Sequence, residues 1–383
     1  MLLVYRYRIK SLTGLLNGHA RACNFVWNFC NDTQLQALKW NKRWPSGFDL
    51  NRLTAGSSKD LALHAGTINA VCEQYAKSRR QRNRPCLRWR GRRSLGWVPL
   101  KGRDLKREGK AFRFAGNTFR VFHSRPLPEG KIKDGTSFSC DARGHWFLNI
   151  VVELAAPEPR PVRRGVGIDL GLKDFAALST GEKIENPKFE KQDRERLARA
   201  QRELARKQKG SKNRDKARTK VARVHARITD RRQDHLHKLT TRLVRDNQAI
   251  VIEDLAVRNM LSNHTLARAI SDAARSELRR QLDYKCAWYG RVLVVVDRFH
   301  PSSKTCSVCG HRVSVLPMGV REWTCAGCGA VHDRDVNAAR NLEAAGLAVI
   351  ACGADVRPQR KPPGGHSVLK QETQPVTAGI PSL

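Results

Sequence analysis

Two tight cysteine pairs, Cys306-Ser-Val-Cys309 and Cys325-Ala-Gly-Cys328, constrain this chain more than any other stretch. Fifteen residues separate the pairs, and a glycine follows each, Gly310 and Gly329. Two residues between cysteines let one turn aim both sulfurs at one ion. Two such turns close a tetrahedral four-cysteine site that takes one structural Zn²⁺. Chance pairs or disulfides are the alternatives, and the match to zinc-ribbon spacing disfavours both. Just downstream the chain reads Asp333-Arg-Asp335-Val-Asn337-Ala-Ala, a carboxylate at a helix start directly after the metal loop.

The 383 residues carry 72 Lys and Arg against 35 Asp and Glu, a formal net charge of +37. A compact body with that charge repels itself unless a polyanion neutralises it, so nucleic acid is the expected partner. No apolar run approaches the ~20 residues that a spanning helix needs. The N-terminus, Met-Leu-Leu-Val-Tyr-Arg-Tyr-Arg, alternates like a strand and lacks a signal peptide's apolar core. The other seven cysteines (Cys23, Cys30, Cys72, Cys86, Cys140, Cys286, Cys352) are scattered singles. That usage suits a reducing compartment. The expectation is a cytoplasmic protein without a membrane partner, a monomer before an oligomer.

Along the chain, residues 2 to 10 read as a strand, and residues 13 to 40 and 59 to 80 as helices with apolar stripes. A dense basic run follows, Lys77, Arg79, Arg80, Arg82, Arg84, Arg88, Arg90, Arg92 and Arg93, interrupted by Trp89. Guanidiniums neutralise phosphates and an indole stacks on an unpaired base, so the run is a candidate nucleic-acid contact. A solvated loop is the plain alternative. Residues 95 to 154 alternate in short segments between Gly and Pro turns, which predicts an antiparallel barrel or sandwich. A proline-rich linker spans 157 to 161. Gly165 to Ser179 reads as strand, turn, strand, and residues 188 to 246 as a charged helical pair with a turn at Gly210. A wholly apolar strand, Ala249-Ile-Val-Ile-Glu253, reads as buried and central. A helix over 264 to 289, a strand over 291 to 297 and a helix over 336 to 345 complete the pattern. The tail from about 350 lacks an apolar period and reads as disordered.

Three acids sit where strand or helix ends expose them: Asp169, Glu253 and Asp335. Phosphodiester hydrolysis needs an activated water and a stabilised leaving oxygen, which two Mg²⁺ ions ~3.5–4 Å apart supply. Such ions need several converging carboxylates. Each acid also has an ordinary explanation. Asp169 could form an Asx-turn before Gly171, Glu253 could be a solvated strand end, and Asp335 could cap the last helix. Asp174, Asp254, Asp297 and Asp333 are local competitors.

In this order the motifs become recognisable. Gly167-Ile-Asp169-Leu-Gly171, Ile252-Glu253-Asp-Leu, Pro301-Ser-Ser-Lys-Thr-Cys306, Arg321-Glu-Trp and Asp333-Arg-Asp335-Val-Asn337-Ala-Ala, with the four cysteines, resemble the TnpB transposon-associated nucleases, the apparent ancestors of type V CRISPR effectors. The resemblance covers residues 165 to 345. It implies a multidomain α+β chain: an RNase H-like (RuvC) nuclease domain at 161–301 and 330–349, with a zinc-ribbon insertion at 302–329. A wedge β-barrel at 1–12 and 91–160 would carry a helical recognition insertion at 13–90, and 350–383 would be the tail. Asp169, Glu253 and Asp335 match the family's catalytic acids and ligands of two Mg²⁺ ions, with Mn²⁺ as the alternative. Cys306, Cys309, Cys325 and Cys328 match its zinc ligands. The implied activity is RNA-guided cleavage of double-stranded DNA beside a short target-adjacent motif, with a guide RNA from the transposon end. Competing readings are an RNA-guided repressor that binds without cutting, and a guide-free structure-specific nuclease. The presence of all three acids speaks against the first, and the long N-terminal half against the second.

Overall fold

The alternating opening segment is strand β1 (Leu2–Arg8), and three helices follow it: α1 (Thr13–Lys39), α2 (Gly47–Leu53) and α3 (Ala65–Arg82). The computed structural model describes residues 2–91, 94–155, 157–158, 164–317 and 319–352. The expected tail from residue 353 on, the linker at 159–161, and Arg92 and Arg93 lie outside the described residues. α1 buries Leu16, Ala20, Cys23, Trp27 and Cys30, the stripe that its sequence draws. Periodicity does not predict the short α2. Its signal is a capping box, in which the Asp49 N–H donates to Ser46 Oγ at 3.2 Å and the Ser46 N–H donates to the Asp49 carboxylate at 2.8 Å. The helix expected from residue 59 begins at Ala65. Residues 54–62 form turns instead, and His64 Nδ1 accepts from the Gly66 N–H at 3.2 Å.

Seven short strands follow: β2 (Trp97–Pro99), β3 (Lys106–Glu108), β4 (Ala111–Phe114), β5 (Asn117–Arg120), β6 (Lys131–Ile132), β7 (Ser137–Cys140) and β8 (Trp146–Glu153). They make two antiparallel sheets, β1-β8-β7-β2 with β6 also on β8, and β3-β4-β5. An Ile9–Val121 bridge joins the two, and Phe119 packs on Phe138 with ring centroids 4.6 Å apart. β8 buries Trp146, Leu148, Ile150 and Val152, every second residue, as its alternation requires. The helices enter the chain between β1 and β2 and share one core with the sheets.

The chain divides into two units at residues 155 and 156. The second contains β9 (Gly165–Asp169), β10 (Asp174–Leu178), β11 (Lys183–Glu185), α4 (Phe189–Ala205), α5 (Lys212–Asp246), β12 (Ala249–Glu253) and α6 (Val257–Met260). It continues with α7 (Ala267–Ala273), α8 (Arg275–Tyr289), β13 (Val292–Val296), β14 (Glu322–Thr324), β15 (Val331–Asp333) and α9 (Arg334–Ala351). The main sheet runs β11-β10-β9-β12-β13. The first three strands pair antiparallel and the last three parallel. α5 and α8 cover one face through Leu236, Leu239, Leu243, Leu278 and Leu282. α9 covers the other through Leu342. The single helix expected over 264 to 289 is broken at Ala274, whose φ is +48°. No Gly or Pro marks that break. α9 starts before the expected Val336 and extends past the expected Ala345. Among the described residues no helix is long and apolar enough to cross a membrane.

Glycine lets α9 lie close on the sheet. A Cβ at Gly167 would collide with the Ala339 carbonyl of α9, and one at Gly346 with the side chain of Val251. Gly167→Ala is therefore expected to destabilise the second unit by about 1–3 kcal/mol, read as a lower denaturant midpoint. Gly319→Ala, in the same unit and with open space around its Cβ, is the control and should leave the midpoint unchanged.

Candidate functional site

β9 and β12 are parallel neighbours with Ile168 opposite Ile252. Side chains alternate across a strand, so Val166, Ile168, Ile250 and Ile252 enter the core beneath α5 and α8. Gly165, Gly167 and Asp169 take the opposite face, as do Val251 and Glu253, and that face is covered by α9. Asp169 and Glu253 are the last residues of their strands. Their carboxylates therefore emerge side by side at the carboxyl ends of parallel strands, the edge where open α/β sheets bind ligands.

α9 brings Asp335 to the same place. The helix is capped by Asp333, not by Asp335, which corrects the capping alternative. Asp333 Oδ1 accepts from the N–H groups of Asp335 and Val336 at 3.1 and 3.0 Å, and its other oxygen takes Lys183 Nζ at 2.5 Å. Although burial opposes it, Lys183 and those N–H groups hold the Asp333 carboxyl below its ordinary range. Asp335 is thus free of the capping role. Its two oxygens each lie 3.3 Å from Arg321 Nη1. Among the other competitors, Asp254 is held by Arg279 at 2.6 Å and by Arg298, and Asp297 closes a turn with the Phe299 N–H at 2.8 Å.

Burial, and then repulsion from Asp335 and Glu253, pushes the Asp169 carboxyl up to about 7. Burial raises Glu253 as well, against the opposing charge of Arg275. Arg275 is 5% exposed, opens α8 just after the Ala274 break, and acts electrostatically on both acids. Acids that resist ionisation in each other's presence gain most from a multivalent cation. They are gathered less tightly than the cysteines, which form the one group of three or more candidate ligand atoms within 4.8 Å of one another among the described residues.

The four cysteines are grouped closely enough to hold a metal ion. Cys306 and Cys328 Sγ lie 3.7 Å apart, and Cys309 and Cys325 Sγ 3.6 Å. A tetrahedral ion with Zn–S bonds of ~2.3 Å separates its sulfurs by ~3.8 Å, so the residues fit the group. Gly310 and Gly329 have φ of +77° and +74°, the left-handed geometry that turns each loop back on itself. Burial opposes ionisation of Cys306. The N–H groups of Cys309 and Val308 and the ring of His332 outweigh it and bring the thiol down to about 5.

The basic run divides in two. Lys77, Arg80, Arg82, Arg84, Arg88 and Trp89 are exposed. Arg79 and Arg90 depart from the expected phosphate contacts. Arg79 is buried, with Nη2 donating to the Pro45 carbonyl at 2.6 Å and Nη1 to Gln34. The Arg90 guanidinium lies over both Trp27 and Trp97, at 4.4 and 4.8 Å from the ring centroids. Sequence reasoning missed Arg275 and Arg321 as neighbours of the acids. Arg321 lies in a quoted motif and could have been singled out, whereas nothing in the sequence marks Arg275.

Comparison with known proteins gives the class of molecule. Residues 149–264 match the family OrfB_IS605, described as "Probable transposase", and residues 276–342 match the Cas12f1-like TNB domain. A Streptomyces pristinaespiralis protein named "Putative RNA-guided DNA endonuclease" is 62% identical over 261 residues, spanning 68% of this chain and 65% of its own length. The Escherichia coli K12 protein "Putative RNA-guided DNA endonuclease InsQ" is 37% identical over 383 residues, spanning 92% of each. A cryo-EM structure of a Cas12f1–sgRNA–target DNA complex matches with a TM-score of 0.55 at 13% identity, over 86% of this chain and 82% of that one. That last likeness is one of fold, a Cas12-like multidomain α/β architecture. The chain belongs to the TnpB-like family, and the two relatives above carry the name "Putative RNA-guided DNA endonuclease".

A carboxyl whose pKa is raised on folding contributes most below its unfolded value, and that contribution is lost as pH rises through the folded value. For Asp169 the window runs from about 4 to about 7. Without added divalent ions, Asp169→Asn should therefore melt higher than wild type at pH 8, by ~2 °C or more. The gap should close towards pH 4. Equal melting temperatures at pH 8 would show that neither burial nor the neighbouring acids oppose ionisation of Asp169 in the folded chain.

Proposed function

We propose that this chain is an RNA-guided DNA endonuclease whose cutting site is a RuvC-type centre formed by Asp169, Glu253 and Asp335. The observation that carries the reading is the meeting of Asp169 and Glu253 with the first turn of α9 at one sheet edge, where Asp169 feels both other acids. The strand order, antiparallel and then parallel, supports an RNase H-like fold for this unit. Two divalent ions held there, Mg²⁺ or Mn²⁺, would supply an activated water and a stabilised leaving oxygen. The protein's own part is positional. β9 and β12 aim Asp169 and Glu253 outward, Asp333 caps α9 so that the Asp335 carboxylate stays available, and Arg321 orients it. Arg275 offsets part of the negative charge. One zinc ion in the four-cysteine loop would close the insertion that carries Arg321.

The guide RNA, from the transposon end, would pair with one strand of double-stranded DNA beside a short target-adjacent motif. Base pairing would then supply sequence specificity and the protein the backbone contacts. Lys77, Arg80, Arg82, Arg84 and Arg88 are the phosphate contacts we assign, with Trp89 as the stacking residue. We assign β1 and β2–β8 to the wedge domain and α1–α3 to the recognition domain of a monomeric cytoplasmic protein.

The test is cleavage by protein purified with RNA from its own locus, on DNA that matches or mismatches that RNA. Matched DNA alone should be cut. Asp335→Asn should lose about a thousandfold or more in rate while still binding RNA and target, since the Asp333 cap is untouched. Cutting that is independent of the RNA would remove the guided reading, and an active Asp335→Asn protein would remove Asp335 from the site.

A further inference from the structure

Asn337 lies two residues past Asp335 in α9 and is 1% exposed. A buried carboxamide is costly unless its oxygen and nitrogen are both bonded. Both are spent on the metal loop. Asn337 Oδ1 accepts from the Ser307 N–H at 2.9 Å, and Nδ2 donates to the Thr305 carbonyl at 2.8 Å. Thr305 and Ser307 flank Cys306, so one side chain grips the peptide groups on both sides of a metal-binding cysteine. One turn on, and on the same helix face, Asn341 Nδ2 donates to the carbonyls of Thr305 and Ser302 at 2.6 and 2.7 Å. His332, in the strand that leads into α9, is 3% exposed, with Nε2 3.0 Å from Cys306 Sγ and its ring 4.8 Å from that of Trp323. The return connection is the Arg334 N–H, which donates to the Arg321 carbonyl at 2.7 Å.

We propose that Asn337, assisted by Asn341, is a positioning residue that couples the filled four-cysteine site to the placement of Asp335. A structural metal supplies folding energy to the loop that binds it. The loaded loop holds the Thr305–Ser307 peptide groups where Asn337 meets them, and that grip fixes the first turn of α9 with the carboxylate it carries. When the metal leaves, the loop loosens, the Asn337 bonds lose their partners, and the start of α9 frays. The coupling stands on the hydrogen bonds alone. Its consequence for DNA cleavage rests on the reading of Asp335 as a catalytic acid.

Hydrogen exchange on the full chain separates the two. In wild-type protein, stripping zinc should speed exchange in residues 334–341 about tenfold or more relative to α5, an internal reference. In Asn337→Ala, the Co²⁺-substituted protein should keep the wild-type thiolate-to-metal charge-transfer band, while residues 334–341 exchange fast even with zinc bound. Asn341→Ala removes one of two donors to Thr305 and should show a smaller change in the same direction, which serves if Asn337→Ala does not fold. Exchange in residues 334–341 that ignores zinc in the wild type, or that is the same in the variants and the wild type, overturns the coupling. The second readout is the Mg²⁺ concentration for half-maximal cleavage, which should rise about tenfold in Asn337→Ala. Fast exchange with an unchanged Mg²⁺ requirement would uphold the grip of Asn337 and overturn the role of Asp335 instead.

Discussion

The close approach of α9 to β9 governs the geometry of the acid site. Asp169 belongs to a strand and Asp335, 166 positions later, to a helix. They meet because Gly167 leaves the Ala339 carbonyl room to rest on the strand, and because Gly346 accepts Val251 in the same way. A helix held off by side chains at these positions would carry Asp335 away from the strand ends. Burial at this contact, and then the like charges it brings together, push the Asp169 carboxyl up to about 7. Perturbed carboxyls of this kind cluster at functional sites.

Positive charge in this chain stands in two settings that composition does not distinguish. Lys77, Arg80, Arg82, Arg84 and Arg88 face solvent with little acid nearby to match them, and suit a phosphate backbone. Arg79, Arg90 and Arg275 are withdrawn, and each is held among aromatic rings, carbonyls or acids. The guanidinium tolerates that setting because it is weakly hydrated and stacks well.

How far the residues alone reveal this depends on whether the signal is local. The cysteine spacing, the alternation in β8, and the apolar run of β12 are local patterns, and they place the four cysteines and the strand-end Glu253. The stripe on α1 was equally legible. α2 was not, because seven residues hold less than two full periods and its capping box needs a known boundary to be noticed. The break at Ala274 uses an alanine in the left-handed region, a strained choice that only tertiary contacts can hold in place. Asp335 looked like a helix cap because the true cap, Asp333, stands two residues before it, and either acid fits that role by type. Arg79 read as part of a basic run because its neighbours are exposed, and only the packing of α3 on α1 shows that it points inward.

The proposed cutting site needs three acids to act as one cation site beside a separate thiolate site. Anomalous diffraction from crystals soaked in Mn²⁺, collected at the zinc and manganese edges, tests that directly. The expected result is zinc among the sulfurs of Cys306, Cys309, Cys325 and Cys328, with manganese between Asp169, Glu253 and Asp335. Manganese should disappear from crystals of Asp169→Ala while zinc remains. Manganese bound elsewhere, or its persistence in the Asp169→Ala crystals, would show that these acids do not form a cation site.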